Sequence, residues 1–283
     1  MVEEPGRRWA VRPGEPDGPR VERLGTERPG VWRIRSVGAA RQVLRARSET
    51  TQAGFTAEWI PKGRLTHHPI LISDGPQHDE QRGKVGRFFA PRVVAERYTG
   101  SMEACADRLL AEALAAGRCR LDDLALLYSV EVTAEVGLTD SPVPKMARRL
   151  VTFFNQPPFD ITRPDLGRTP AQWARAAANG LLPIIRFHLA DVRPAIRARR
   201  RARRADVVSH LIDEGYSDIE ILVECVTYGT AGMVTTREFI CMAAWHLLRH
   251  DALRERYLVA GEQERFAILN EIIRLEPVVG HLY

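Results

Sequence analysis

The sequence lacks any apolar run as long as the roughly 18 residues that a membrane-spanning helix requires. Residues 1–14 are polar and include two prolines, so they lack the apolar centre of a secretory signal peptide. These two absences predict a cytoplasmic protein with no membrane partner.

Lysine is almost absent, because Lys62, Lys84 and Lys145 are the only three among 41 basic side chains, and the rest are arginines. The formal net charge is +5. An arginine bias is compatible with binding of anions or nucleic acid. Because this bias runs along the whole chain, it is more typical of general composition than of one binding surface.

Cysteine is also scarce, and the four cysteines form no C-x-x-C pair and have no histidine at the spacing of a zinc site. This pattern argues against a structural zinc and predicts free, buried thiols in a reducing cytoplasm. The cysteines are Cys105, Cys119, Cys225 and Cys241.

Strand patterns are rare in these 283 residues, and the sequence therefore predicts a mainly α fold with a small N-terminal β element. Residues 1–30 read as an irregular lead-in, 31–35 as one short strand, and 155–169 as a proline-rich loop. The helices are predicted at 37–46, 74–90, 92–116, 122–136, 170–189, 217–249, 251–258 and 262–275.

The helix at 217–249 is the longest, at roughly 50 Å, and only Glu224 is charged between residues 221 and 236. This composition predicts burial around the whole middle of the helix. Residues 229–236 combine two glycines with neighbouring threonines, which weaken a helix and leave room beside its backbone. Close packing of another helix is an equally good interpretation of the small residues.

A second motif opens the helix at 74–90, where His78 and Arg82 lie four residues apart and therefore share one face. Two cationic donors at this spacing suit carboxylates. The alternative is an exposed polar face on which Asp79 or Glu80 pairs with them.

A third motif, Glu271-x-x-Arg274, is by itself an ordinary i,i+3 ion pair.

Two further patterns have simpler explanations. Residues 197–204 contain six arginines and could neutralise phosphates, but no aromatic residues lie among them to stack on bases. His246 and His250 share a helix face, but no third metal ligand is apparent. Nucleic acid and metal are therefore both unfavoured.

Taken in order along the chain, the motifs resemble one family. Residues 74–82, followed by 88–93, are similar to the heme-propionate helix of bacterial cytochromes P450. Residues 231–236, Ala-Gly-x-x-Thr-Thr, resemble the oxygen-activation motif of that family, and residues 271–277 resemble its E-x-x-R helix. The likeness extends from about residue 30 onward, so the implied organisation is a lead-in over 1–30 and a single cytochrome P450-like domain over 31–283.

The resemblance implies heme b as the cofactor and roles for seven residues. His78 and Arg82 would hold the heme propionates, and Ala231 and Gly232 would lie against the distal heme face. Thr235 would hydrogen-bond dioxygen and relay protons to it. Glu271 and Arg274 would be structural, bracing the proximal side.

The resemblance further implies a monooxygenase that oxidises a small apolar substrate with O2 and electrons from a ferredoxin or flavodoxin-type partner. Two features depart from the family pattern. Val234 occupies a position where the family usually has a carboxylate that helps to deliver protons. The chain also ends at Tyr283, before the loop that carries the thiolate cysteine.

We therefore expect a fragment that is incomplete at its C-terminus, lacks the iron ligand and is inactive as given. Without its last portion, we also expect apolar surface to be exposed on the central helix. The alternatives are a catalytically silent relic of the fold that keeps a ligand pocket, and a basic helical nucleic-acid binder.

Overall fold

The computed structural model describes residues 21–23, 30, 32–51, 66–153, 157 and 167–278. This part of the chain is mainly α-helical, as predicted, with one small sheet near its beginning. Within it, none of the helices combines the length and apolar character that a bilayer crossing requires.

The described residues form twelve α-helices. They are α1 (Val37–Arg45), α2 (Gly75–Gly86), α3 (Pro91–Val93), α4 (Thr99–Ala115), α5 (Leu121–Ala134), α6 (Val143–Phe153), α7 (Pro170–Phe187), α8 (Arg193–Arg201), α9 (Val207–Asp213), α10 (Asp218–Arg249), α11 (Asp251–Val259) and α12 (Glu262–Leu275).

The sheet pairs β1 (Val21–Arg23) with β2 (Trp32–Ile34) in antiparallel register, Val21 opposite Ile34. Strand β2 confirms the strand predicted at 31–35. Strand β1 lies within the lead-in that was predicted to be irregular, so that prediction is wrong for these three residues. A three-residue strand is too short to leave a pattern, and its ion pairs, Glu22 with Arg33 and Arg35, both at 3.2 Å, become visible only in the fold.

Two predicted helices have different bounds. Helix α2 ends at Gly86 rather than residue 90, because the Phe88 and Phe89 N–H groups turn back to carbonyls only three residues earlier. The helix predicted over 92–116 is split by a π-helical turn over Val94–Tyr98. Its end is confirmed: Gly117 has φ +70°, the left-handed conformation that glycine adopts at helix ends.

The sequence pattern predicts no helix at α6, α8 or α9. Helix α6 depends on tertiary packing, since Met146, Ala147 and Leu150 are all buried. Helix α9 begins at Asp206, whose side chain accepts the Ser209 N–H as an N-cap.

Helix α10 has the predicted extent but is not buried all round. Its buried positions in the middle fall on one face, at Ile221, Glu224, Cys225, Gly229 and Met233. The residues between them are mostly half-exposed. The prediction of burial around the whole helix is therefore wrong, since an apolar composition alone does not determine how many faces are covered.

The chain divides into two compact units. The first contains Glu96–Glu135 and Tyr228–Tyr283, and the second contains Pro16–Ala95 and Val136–Thr227. The single domain predicted over 31–283 stays a prediction. Each unit has its own buried apolar residues, among them Leu109, Val130 and Ile272 in the first and Phe187, Ile196, Val208 and Leu211 in the second.

Candidate functional site

Helix α2 presents the predicted cation pair. Its start combines Asp74 in extended conformation, Gly75 at φ +67° and Pro76 in the first turn, where its missing N–H is not needed. His78 and Arg82 lie one turn apart on this helix, His78 half-buried and Arg82 exposed. The geometry that the sequence predicts for these two side chains on one helix is therefore present.

The acidic neighbours of this pair bind other cations. Asp79 pairs with Arg47 of α1, and Glu80 pairs with Lys84 at 2.8 Å. His78 Nδ1 lies 3.4 Å from Asp79 Oδ1, whereas Arg82 forms no ion pair within the described residues. The alternative interpretation was an exposed polar face on which Asp79 or Glu80 pairs with His78 and Arg82. It applies in part to His78, which lies near Asp79, and does not apply to Arg82.

Two glutamates of α10 hold the segment that leads into α2. Glu220 Oε1 accepts the His67 N–H at 2.7 Å, and Glu224 Oε1 accepts the Ile70 N–H at 2.9 Å. Burial alone would raise the pKa of Glu220, but hydrogen bonds from His67 and Ser217 outweigh it and lower the pKa to about 2.

Sequence reasoning missed this role of Glu220 and Glu224. A usable sign was present, since Glu224 is the single charge in sixteen otherwise uncharged residues. A buried charge on an apolar helix needs a hydrogen-bonding partner.

Close packing against another helix explains one of the two glycines in the middle of α10. A Cβ added at Gly232 would lie 2.5 Å from the Thr133 hydroxyl oxygen of α5. The interpretation of close helix packing is thus confirmed for Gly232. Ala231 is exposed, so it keeps a free methyl surface on the same helix.

Thr235 is half-exposed and donates its hydroxyl proton to the Ala231 carbonyl at 2.7 Å. This is the backbone contact that threonine makes one turn back in a helix, and it leaves the hydroxyl oxygen able to accept. Val234, beside it, offers only an aliphatic side chain. Ala231, Gly232 and Thr235 therefore lie on consecutive turns of α10 in the first unit, whereas His78 and Arg82 lie on α2 in the second.

The E-x-x-R pair forms on α12 as predicted. Arg274 donates two hydrogen bonds to Glu271, at 2.7 and 2.6 Å, and both side chains are more than half exposed. The arginine lowers the pKa of Glu271, and the glutamate raises the pKa of Arg274.

The four cysteines are free, as predicted, but the prediction that they are buried is wrong for Cys119, which lies between α4 and α5 and is exposed. Cys105 and Cys225 are buried, and burial raises the pKa of both thiols, that of Cys105 to about 11. Burial likewise raises the pKa of Cys241. Burial of Cys105 and Cys225 suits a role of these two side chains in packing.

The arginine-rich segment at 197–204 is neutralised from within the fold. Arg199 is buried and pairs with Asp206, at 2.9 Å, and with Asp140. Three more of its arginines pair with carboxylates: Arg200 with Asp218, Arg203 with Asp213 and Arg204 with Asp140. Four of six cations are thus occupied, which argues against a phosphate-binding stripe.

The histidine pair is similarly weak as a metal site. The His246 and His250 rings lie 6.0 Å apart, and no group of three or more metal-binding side chains is found in the described part of the chain.

Comparison with known proteins gives matches among solved structures alone. No family model matches the chain, and no curated protein does. CYP109E1 from Bacillus megaterium is 17% identical with a TM-score of 0.64, covering 86% of this chain and 62% of that protein. CalO2 is 25% identical with a TM-score of 0.57, covering 77% and 54%. Cyanobacterial CYP120A1, solved with retinoic acid, is 17% identical with a TM-score of 0.61, covering 86% and 56%.

These neighbours are cytochrome P450 structures. The chain has the cytochrome P450 fold. The resemblance drawn from the motifs at 74–82, 231–236 and 271–277 is therefore confirmed for the fold. The chain spans about half the length of the cytochromes P450 that it matches.

Proposed function

We propose that this chain is part of a heme-dependent monooxygenase of the cytochrome P450 type, which acts in the cytoplasm on a small apolar substrate. The main support is that a chain with the P450 fold presents a pair of cationic side chains on α2. One of them, Arg82, has no ion-pair partner among the described residues. Heme b, when bound, would supply the iron chemistry that activates O2 with electrons from a ferredoxin or flavodoxin-type partner.

The donor set of α2 fits the carboxylate edge of a heme. Arg82 offers a planar two-pronged donor and His78 a ring N–H, and both belong to one helix face. Asp79 and Glu80 are engaged by Arg47 and Lys84, so neither competes for Arg82. In this proposal His78 and Arg82 bind the two propionates and fix the orientation of the cofactor.

The residues of α10 would act on the distal side. Ala231 and Gly232 keep the helix surface small, with Gly232 also required for contact with Thr133. Thr235 would hold and pass a proton at its hydroxyl oxygen, releasing the Ala231 carbonyl to do so. Because Val234 cannot carry a proton, we propose that protons reach Thr235 through water or from the substrate.

The iron ligand is proposed to come from outside the four cysteines of this chain, which makes the chain a fragment that is inactive as given. The burial of Cys105 and Cys225 within the fold supports this step. In the same proposal, Glu271 and Arg274 stabilise the proximal side without touching the heme.

The test is heme binding by the polypeptide extended through the downstream coding sequence. We expect a Soret band with hemin and, after reduction under CO, the difference maximum characteristic of thiolate ligation. An extended polypeptide that folds but shows no heme absorbance would contradict the proposal. If it instead retained an apolar ligand without iron, the catalytically silent relic would become the better interpretation.

A further inference from the structure

A second candidate site lies between α6 and α7, apart from the residues assigned to heme. Four positions of α6, at residues 145, 148, 149 and 152, follow helical spacing along one face. Together with Pro183 and Arg186 of α7, they line an open groove of about 350 Å³. The adjoining face of α6 is buried through Met146, Ala147 and Leu150, so packing determines which face of this helix lines the groove.

Most of the positive charge of this groove has no carboxylate partner. Among the six described residues that line it, none is acidic and four are basic. Arg149 is neutralised, because it donates two hydrogen bonds, at 2.7 and 2.6 Å, to the buried Asp191. Lys145, Arg148 and Arg186 are exposed and form no ion pair with any described residue.

This arrangement differs from that of the arginine-rich segment at 197–204, in which four of the six arginines form ion pairs with carboxylates of the fold. Three cations around one concave surface repel one another, and an anion bound between them would offset this repulsion. Two of the three are arginines, whose planar donors match the oxygens of a phosphate. The groove therefore has the chemistry of a phosphate site.

The lining also limits the kind of phosphate ligand. None of the described residues that line the groove is aromatic, so they offer no surface on which a nucleic-acid base could stack. A volume of about 350 Å³ is at the lower end of small-molecule sites and exceeds what a bare phosphate ion fills. We propose that the groove between α6 and α7 binds a small soluble phosphate monoester, with Lys145, Arg148 and Arg186 contacting the phosphate.

The test is calorimetric titration of the purified protein at low ionic strength with glycerol phosphate, inorganic phosphate and phosphatidylglycerol vesicles. The groove variant is Arg148→Gln with Arg186→Gln. The control, Arg175→Gln with Arg197→Gln, removes the same charge from exposed arginines that do not line the groove. Arg149 is left intact because its bond to Asp191 supports the fold.

We expect saturable binding of glycerol phosphate at one site, tighter than that of inorganic phosphate. The groove variant should weaken it at least about tenfold, whereas the control should change it less than about twofold. Absence of saturable binding in the unmodified protein, equal weakening in both variants, or binding to vesicles alone would each overturn the proposal. Circular dichroism of all variants checks that the helices are retained.

Discussion

Two cationic regions of this protein differ in the number of their arginines and in the carboxylates that surround them. The segment at 197–204 has six arginines, and four of them pair with carboxylates of the fold. Helix α2 has only one arginine on its exposed face, Arg82, and no described carboxylate pairs with it. The number of basic residues in a segment thus does not show how many of them lack a carboxylate partner in the fold.

The comparison also separates stability from function. A buried arginine held by two aspartates contributes to folding, and its removal leaves charges without a partner. An exposed arginine without a carboxylate contributes little to folding and is available to a ligand. Substitution of one arginine of each kind therefore measures the two contributions separately.

The largest effect is expected at Arg199. Arg199→Gln removes the guanidinium that Asp206 contacts at 2.9 Å and leaves that buried carboxylate without its cation. We expect a loss of about 3–5 kcal/mol in the free energy of unfolding, measured by urea denaturation. Arg201→Gln is the control, two residues away and exposed, with an expected change within about 0.5 kcal/mol. Similar losses in the free energy of unfolding of the two variants would show that the buried, paired Arg199 is no more important for stability than an exposed arginine.

The next effect concerns heme affinity. In the extended polypeptide that we propose to bind heme, Arg82→Gln should weaken heme retention about tenfold, because the proposed charge-assisted hydrogen bond to a propionate is lost. The free energy of unfolding of the heme-free protein should hardly change, since Arg82 pairs with no described carboxylate. The measurement is a titration of the Soret absorbance.

Arg45→Gln serves as the matched control for Arg82. Arg45 is also exposed, ends α1, and forms no ion pair with a described residue. Its replacement should leave the heme titration unchanged. If the two variants behaved alike, Arg82 would be an ordinary surface arginine and the role assigned to α2 would be lost.

A smaller effect is expected in acid. The hydrogen bond from Arg199 lowers the pKa of Asp140 below its ordinary 3.8. The unfolded chain therefore binds this proton first, and the stability that Asp140 contributes above pH 3.8 is lost as the pH falls from 3.8 through the lower pKa of the folded state. Asp140→Asn should flatten the decline in stability below about pH 4, as measured by thermal unfolding at each pH.

Asp107→Asn is the control for this acid effect, since Asp107 is exposed and forms no ion pair in the described part of the chain. It should leave the pH dependence of the unmodified protein in place. A flattening of equal size in both variants would mean that overall charge, rather than the bond to Arg199, determines acid stability.

The sequence predicts those features of the fold that depend on residues close together in the chain. The ends of α1, α10 and α12 depend on local residues, and the predicted bounds match closely. The i,i+4 spacing of His78 and Arg82 likewise follows from helix geometry alone. These features need no knowledge of distant parts of the chain.

The rest depends on contacts between residues far apart in sequence. The hydrogen bond from Ile70 to Glu224 joins residues separated by 154 positions, and the Arg199–Asp140 pair spans 59. A sequence pattern shows a charge but not its partner, so 197–204 could be read as a free basic stripe. Gly232 was equally ambiguous until its contact with Thr133 was known.

The smallest effect, at Arg200, sharpens the comparison within one segment. Arg200 follows Arg199 directly and pairs with Asp218 at 2.5 Å, but its side chain is 50% exposed and that of Asp218 is 40% exposed. Water screens this pair, so Arg200→Gln should cost less than about 1 kcal/mol, and added salt should reduce the cost further. Urea unfolding at low and high salt measures both. A cost close to that of Arg199→Gln would mean that pairing alone, and not burial, makes an arginine of this segment structural.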